Sequence, residues 1–330
     1  YQSLGSVDAA TTGSDFNDIE IVDKNGTTPI TNQLGKGKIA ALIKMRDDTL
    51  VKYQEQLDQA AEQFRNSVNK EHNGLTSASP LATLTGSRIF ADPSADTVSG
   101  TGTIRLALIN HEDRTFTSYY DFDLTAFGAK TVEEFRDEIN TNLVGVTASI
   151  NANNKLVLSS TLPKTGVAIL SDEANNMTLN GTAEGNSFSS FFGLNDLVTP
   201  GSLTGATGLS GKLYIRSDIS DNPVGGFSTL KLSNEATPTL GTTRAVFAAD
   251  PTGIDSFVAA MTEKTTLPAA GYAGPSDRSV LSAAIQLVDE VARQKRQHEE
   301  TYSTTRISYD LNMERALAVS DSDFSQDLID

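Results

Sequence analysis

The sequence predicts an α+β protein: a long antiparallel helical rod with a β-rich domain inserted between its helices. Three observations point there. Apolar residues recur at every seventh position near each end of the chain. Between those ends the apolar period changes to two, punctuated by turn residues. After Gly37 the two seven-residue grids are free of Pro and Gly, whereas the stretch between them is not.

The first grid occupies residues 37–69. Ile43, Leu50, Leu57 and Phe64 fall seven apart, and Ile39, Tyr53, Ala60, Ala61 and Val68 lie three or four residues away. That is one apolar stripe along a helix of roughly 50 Å at 1.5 Å per residue. The second grid, residues 279–317, carries Leu281, Val288, Tyr302 and Tyr309, interrupted by Lys295 and flanked by Ile285, Ala292, Met313 and Leu317. Pro275, Ser276 and Asp277 supply start signals upstream of it. Two such helices, one near each end, are expected to pair antiparallel. Leu50, Leu57, Phe64, Leu281 and Val288 should then form an intramolecular core, leaving polar outer flanks for assembly. The expected domains are residues 1–74 with 272–330, the discontinuous rod, and 75–271, an insertion of one body or two.

Ahead of the first helix, Ile19, Ile21 and Val22 mark a short strand and Lys24-Asn25-Gly26 a turn. Within the insertion, residues 103–110 and 115–124 read as paired strands around a turn at 111–114, with Ile104, Leu106 and Leu108 on one face. Residues 131–143 read as an amphipathic helix buried through Val132, Phe135 and Ile139. Thr131 and Glu134 form its capping box, each side chain satisfying the other's backbone N–H. Residues 146–150 and 155–160 make a hairpin around an Asn-rich turn, and 167–170 and 177–179 are short strands. The dense aromatics of 187–197 (SFSSFFGLNDL) should plug a core. Residues 199–211 read as loop, 213–219 and 227–232 as strands, 255–263 as a helix and 267–274 as loop.

Composition bounds the function. With 330 residues the chain is long enough for two or three domains. Its net charge is −16, from 42 acidic and 26 basic residues, which repels nucleic-acid phosphate and anionic lipid; neither is an expected partner. No apolar run approaches the ~18 residues of a membrane span, and no signal peptide opens the chain. Tyr1 in place of Met is expected of an excised fragment. Cys is absent, which excludes disulfide and thiol chemistry.

No catalytic, cofactor-binding or metal residue is expected. His72, His111 and His298 are scattered over a helix end, a turn and a helix face, too few for a zinc site or a nucleophilic triad. Residues 205–212 have one residue too many for a phosphate loop, and Leu213 stands where a hydroxyl should bind magnesium. Asp321, Asp323 and Asp327 lack the glycine and terminal glutamate of a calcium loop and read as a solvated acidic turn. Asp121 and Asp123 alternate along a strand toward solvent, unlike the opposed carboxylates of a glycosidase.

The stretch LIKMRDDTLVKYQEQLDQAAEQFRNSVNKEHNG, residues 42–74, resembles the hook-associated protein 1 family of bacterial flagella. The resemblance rests on Leu42-Ile43, Arg46-Asp47, Leu57-Asp58, Ala61, Val68-Asn69 and His72, followed by Gly86 and Phe90. Phe191-Phe192-Gly193-Leu194-Asn195-Asp196 resembles a phrase of the same family's second domain. The turn expected after Val319 has Ser320-Asp321-Ser322-Asp323 without the usual glycine. The resemblance implies a non-enzymatic subunit joining hook to filament, exported through the flagellar channel to the cell exterior. Implied partners are copies of itself in a ring, the hook protein, the second junction protein and an export chaperone. Rival expectations are another axial protein, either the second junction protein or a flagellin, or an adhesin or glycan-binding module on a helical stalk.

Overall fold

The computed structural model describes residues 18–23, 26–171, 173–200, 208–247 and 250–327. It begins with an antiparallel ribbon, β1 (Glu20–Asp23) against β2 (Gly26–Pro29), with Val22 opposite Thr27. The turn expected at 24–26 falls between these strands; its residues 24 and 25 lie outside the described ones. The first long helix follows as α1 (Gly37–Lys44) and α2 (Leu50–Asn73). A π turn over Met45–Thr49 joins them: the Leu50 N–H reaches the Met45 carbonyl, five residues back rather than four. This differs from the uninterrupted α-helix expected. The helix ends at Gly74, whose N–H bonds the Glu71 carbonyl at 3.0 Å.

Residues 83–171 and 173–183 are α+β in detail as well as class. In order come β3 (Thr83–Thr85), β4 (Thr97–Ser99), β5 (Thr103–Asn110), β6 (Phe116–Asp123), α3 (Leu124–Phe127), β7 (Lys130–Thr131) and α4 (Val132–Asn142). Then follow β8 (Val146–Ile150), β9 (Leu156–Ser160), β10 (Thr165–Leu170), β11 (Thr178–Leu179) and β12 (Thr182–Ala183). They form three antiparallel sheets, ordered β10-β5-β6, β3-β9-β8 and β12-β11-β4-β7. The capping box of α4 is present: Thr131 Oγ1 accepts from the Glu134 N–H at 3.2 Å, and Glu134 Oε2 from the Thr131 N–H at 2.9 Å. Val132, Phe135 and Ile139 are buried beneath it.

Strand β5 departs from simple alternation, because residues 104–109 are all buried. Ile104, Leu106 and Leu108 face the main core, as read. Ala107 and Ile109 face a second cluster with Phe116, Leu230, Leu232, Ala245 and Val246, supplied by an irregular strap from later in the chain. Arg105 fastens that strap. It pairs with Asp121 through Nε at 2.6 Å and Nη2 at 2.7 Å, and donates to the Glu235 carbonyl at 2.7 Å. The strand expected at 227–232 is this strap; only Thr76 and Leu230 bridge there.

The aromatic stretch does plug the core. α5 (Phe188–Phe192) is capped by Ser187, and Phe188, Phe191, Phe192 and Leu194 are essentially inaccessible. Phe188 and Phe192 centroids are 5.0 Å apart, and Phe90 lies 5.7 Å from Phe192. Gly193 ends the helix at φ 63°, where a Cβ would stand 1.9 Å from Ser87 Oγ.

Beyond it, β13 (Val198–Thr199) pairs with β14 (Tyr214–Ile215). The strand expected over 213–219 stops there, because α6 (Ser217–Ser220) takes over, followed by α7 (Pro223–Gly226) with Asn222 as its cap. Next come α8 (Thr252–Thr262), β15 (Thr265–Leu267) and β16 (Ser276–Arg278). Residues 267–274 are thus mostly the tip of a hairpin whose strands are too short and polar to announce themselves. The last helix, α9 (Val280–Asp327), starts at Ser279 rather than at residues 275–277. Ser279 Oγ accepts from the Ser282 N–H at 3.1 Å and Ser282 Oγ from the Ser279 N–H at 2.8 Å. The acidic turn expected at 320–323 is absent; with neither Pro nor Gly to stop it, the helix runs on through Asp327.

Candidate assembly surface

Two sides of α2 are covered, and polar side chains do the covering. On one side Glu55 Oε2 accepts from the Gly271 N–H at 3.0 Å, and Gln59 Nε2 donates to the Pro268 carbonyl at 2.7 Å. Gln63 Nε2 donates to the Arg278 carbonyl at 2.7 Å and to Thr265 Oγ1 at 3.0 Å. Gln56, with its amide oxygen turned to the backbone, accepts from the Ala273 N–H at 2.9 Å. This ladder seats the β15–β16 hairpin on the helix. Gly271 comes so close that a Cβ would stand 2.0 Å from the Lys52 carbonyl oxygen. On the other side Asp58 accepts from the Gly208 N–H at 2.5 Å and the Ser210 N–H at 2.9 Å.

The end of α2 is tied to residues 195–198 by a buried polar knot. Asn69 Oδ1 accepts from the N–H groups of Leu197 at 3.0 Å and Val198 at 2.8 Å. Asn73 Oδ1 accepts from the Asn195 N–H at 3.0 Å and Ser189 Oγ at 2.7 Å, while its Nδ2 donates to Asp196 Oδ1 at 2.6 Å. Asn195 Nδ2 donates to the carbonyls of His72 and Leu75 at 2.7 and 3.0 Å. His72 is fully buried. Its Nε2 accepts from the Ser228 N–H at 2.9 Å, which leaves the ring proton on Nδ1, facing the Asn195 carbonyl at 2.5 Å. Burial pushes the His72 pKa down to about 4, so the ring is neutral. Burial also pushes the Asp196 carboxyl up, against the hydroxyl of Ser87 and the amide of Asn73.

The apolar grids face the other way. Tyr53 Oη donates to Gln294 Oε1 at 2.9 Å while Gln63 meets Arg278, so α2 and α9 run antiparallel over this stretch. The residues of α9 turned inward are Ala283, buried, and Leu287, Glu290 and Gln294, half-buried. The expected seam is not there. Leu50, Leu57 and Phe64 are 55, 42 and 37% exposed, and Leu281 and Val288 are 56 and 67% exposed. The ladder and Asp58 claim the sides of α2 that flank its polar face, which turns the apolar stripe to solvent. Only Val68 of the grid's companions is buried, against Leu197, Val198 and Ile219. From Lys295 to Val319 every residue of α9 is exposed.

The scattered titratable groups stay apart. His111 Nε2 lies 2.9 Å from the Pro80 carbonyl, and His298 is exposed on α9. Asp121 serves Arg105 instead of facing solvent alone, and Asp123 caps α3 by accepting from the N–H groups of Thr125 and Ala126 at 3.0 and 3.1 Å. Residues 201–207 of the loop read against the phosphate motif lie outside the described residues. Among the described residues no group of three His, Cys, Asp or Glu could hold a metal ion, and no helix is long and apolar enough to cross a membrane.

The polar residues Gln56, Gln63 and Asn73 escaped the sequence reading, and Asn69 and Asn195 entered it only as parts of the resemblance. On α2 their signal was a line of uncharged amides beside the apolar grid, with Gln56 and Gln63 each one residue before Leu57 and Phe64. His72 and the 191–196 phrase, read as separate resemblances, meet in the knot.

No curated protein matches the chain. Residues 2–89 match the family described as the flagellar hook-associated protein FlgK helical domain, a match that contains α1, the π turn, α2 and the first residues of the insertion. Through this stretch the chain resembles the flagellar hook-associated protein FlgK, a structural component of the bacterial flagellum.

Proposed function

We propose that the chain is the subunit that joins hook to filament, with its helix pair acting as a stave in a tubular array and its β-rich part facing outward. One observation carries this reading: the helices are held together by polar and small contacts, while their apolar lines are left uncovered and point away from the pair. A monomer has no use for such lines, whereas a subunit packed on others does. We divide the chain accordingly. Residues 197–200, 208–220 and 252–271 go with the helices rather than with the insertion, because Val68 shares one cluster with Leu197, Val198, Ile219, Phe257 and Met261. Neighbours are further copies in a ring, the hook protein on one side and the second junction protein on the other, with a chaperone during export through the flagellar channel. The role is structural, without catalysis. Cells with a hook but lacking this protein should secrete flagellin and grow no filament. Filaments of ordinary length and number on those cells would overturn the reading.

A further inference from the structure

The apolar residues most exposed on α1 and α2 do not follow the seven-residue grid of the sequence. Ile39, Leu42 and Met45 are 56, 59 and 45% exposed, in company with Leu50, Leu57 and Phe64. Ile43, the grid residue, is half-buried instead. Leu42 stands eight positions before Leu50, whereas Leu57 and Phe64 follow at intervals of seven. In a plain α-helix that extra residue would swing Leu42 about 80° from the Leu50 line at about 100° per residue. The π turn at Met45–Thr49 removes the discrepancy, since its Leu50 N–H to Met45 carbonyl bond adds one residue to a turn.

We propose that the π turn is a register element of the surface by which one copy of this chain packs on another. It brings Leu42 and Met45 into one line with Leu50, Leu57 and Phe64, and turns Ile43 aside. The proposal rests on the assembly reading above and adds to it which residues of α1 touch the neighbour. Charge identifies the occupant as a second copy. Residues 36–52 carry five basic side chains against two acidic ones, in a chain whose net charge is −16. The rest of any other copy is therefore strongly acidic and complements this end of the line. The same sign argues against a basic partner and suits an apolar contact framed by lysines.

The test is complementation of a strain lacking the chain, scored by filaments per cell in electron micrographs. Leu42→Gln combined with Met45→Gln should cut filament number at least about tenfold, because two large apolar side chains leave the contact. Ile43→Gln should stay within about twofold of the native chain, as a surface change away from a contact. One alanine inserted after Asp48 rotates α1 by about another 100° and should also abolish filaments while circular dichroism shows the helix intact. The proposal is overturned if Ile43→Gln is the damaging change, or if the double variant or the insertion assembles normally. Those outcomes differ from failure of the assembly reading itself, in which the strain grows filaments with no copy supplied.

Discussion

The second half of α2 and the outer half of α9 are both long, uninterrupted helices with similar apolar grids, yet they end in opposite environments. Around Gln56–Asn73 seven polar side chains (Gln56, Asp58, Gln59, Gln63, Asn69, His72 and Asn73) bond the backbone of distant segments, and the helix is wedged between the β15–β16 hairpin on one side and residues 195–198 and 208–210 on the other. From Lys295 to Val319 every residue of α9 is exposed, and among the described residues its hydrogen bonds are local, as in Thr301 Oγ1 to the Gln297 carbonyl at 2.8 Å. The difference teaches that an apolar grid does not choose its own burial. Amides and carboxylates that find backbone partners orient the helix, since a bond of fixed direction discriminates among rotations that apolar contact tolerates.

The largest effect expected is from the knot. Asn195→Ala removes the donor to the Leu75 carbonyl and Ser228 Oγ and leaves both buried, while the His72 carbonyl keeps the Leu75 N–H at 3.2 Å. Unfolding in urea followed by circular dichroism should show a loss of about 4 kcal/mol, two buried acceptors at about 2 kcal/mol each. A loss under about 1 kcal/mol would mean that α2 is held chiefly elsewhere.

Acid should attack the same place. His72 has its pKa lowered from 6.5 to about 4, so the unfolded chain binds the proton more readily than the folded one. Its contribution is full above pH 6.5 and is lost as pH falls to 4, about 3 kcal/mol at 1.36 kcal/mol per unit. Asp196 works in the opposite sense, since its raised carboxyl favours the fold when protonated. Urea midpoints should fall between pH 6.5 and 4 in the native chain and fall less in His72→Gln. Parallel curves for the two would remove His72 from the account.

Smaller still is the ladder. Gln63→Ala leaves the Arg278 carbonyl without its donor and should cost about 1.5 kcal/mol. The cost is moderated because Gln63 Oε1 is itself buried without a partner among the described residues. Hydrogen exchange at residues 265–278 should speed up before that of α4 does; equal acceleration everywhere would show that the hairpin is not seated by this bond.

On the outer half of α9, Tyr309→Ser should change the stability of the isolated chain by no more than about 0.5 kcal/mol, because Tyr309 is 64% exposed. A clear loss would show that this half is covered within one copy after all.

Much of the insertion was legible because its signals are local. The capping box of Thr131 and Glu134 closes over three residues, and the β8–β9 hairpin and the Phe188–Phe192 plug need only their own neighbours to be recognised. The strap at 228–246 was misread, because what places it is Arg105, more than a hundred residues away. The β15–β16 hairpin was missed for the same reason: its anchors are the side chains of α2. The π turn was invisible as well, since Met45–Thr49 contains no residue that resists an ordinary α-helix.

By itself the sequence determined the α+β class, the two long helices, the aromatic plug and the lack of disulfide chemistry, all of which follow from spacing and composition along a short window. The direction in which each helix turned its apolar line was decided only in three dimensions. Bonds such as Asn195 to His72 and Gln63 to Arg278 join residues 123 and 215 positions apart, and no local period records a partner at that separation. Those bonds face the polar side of α2 inward and leave the apolar side exposed.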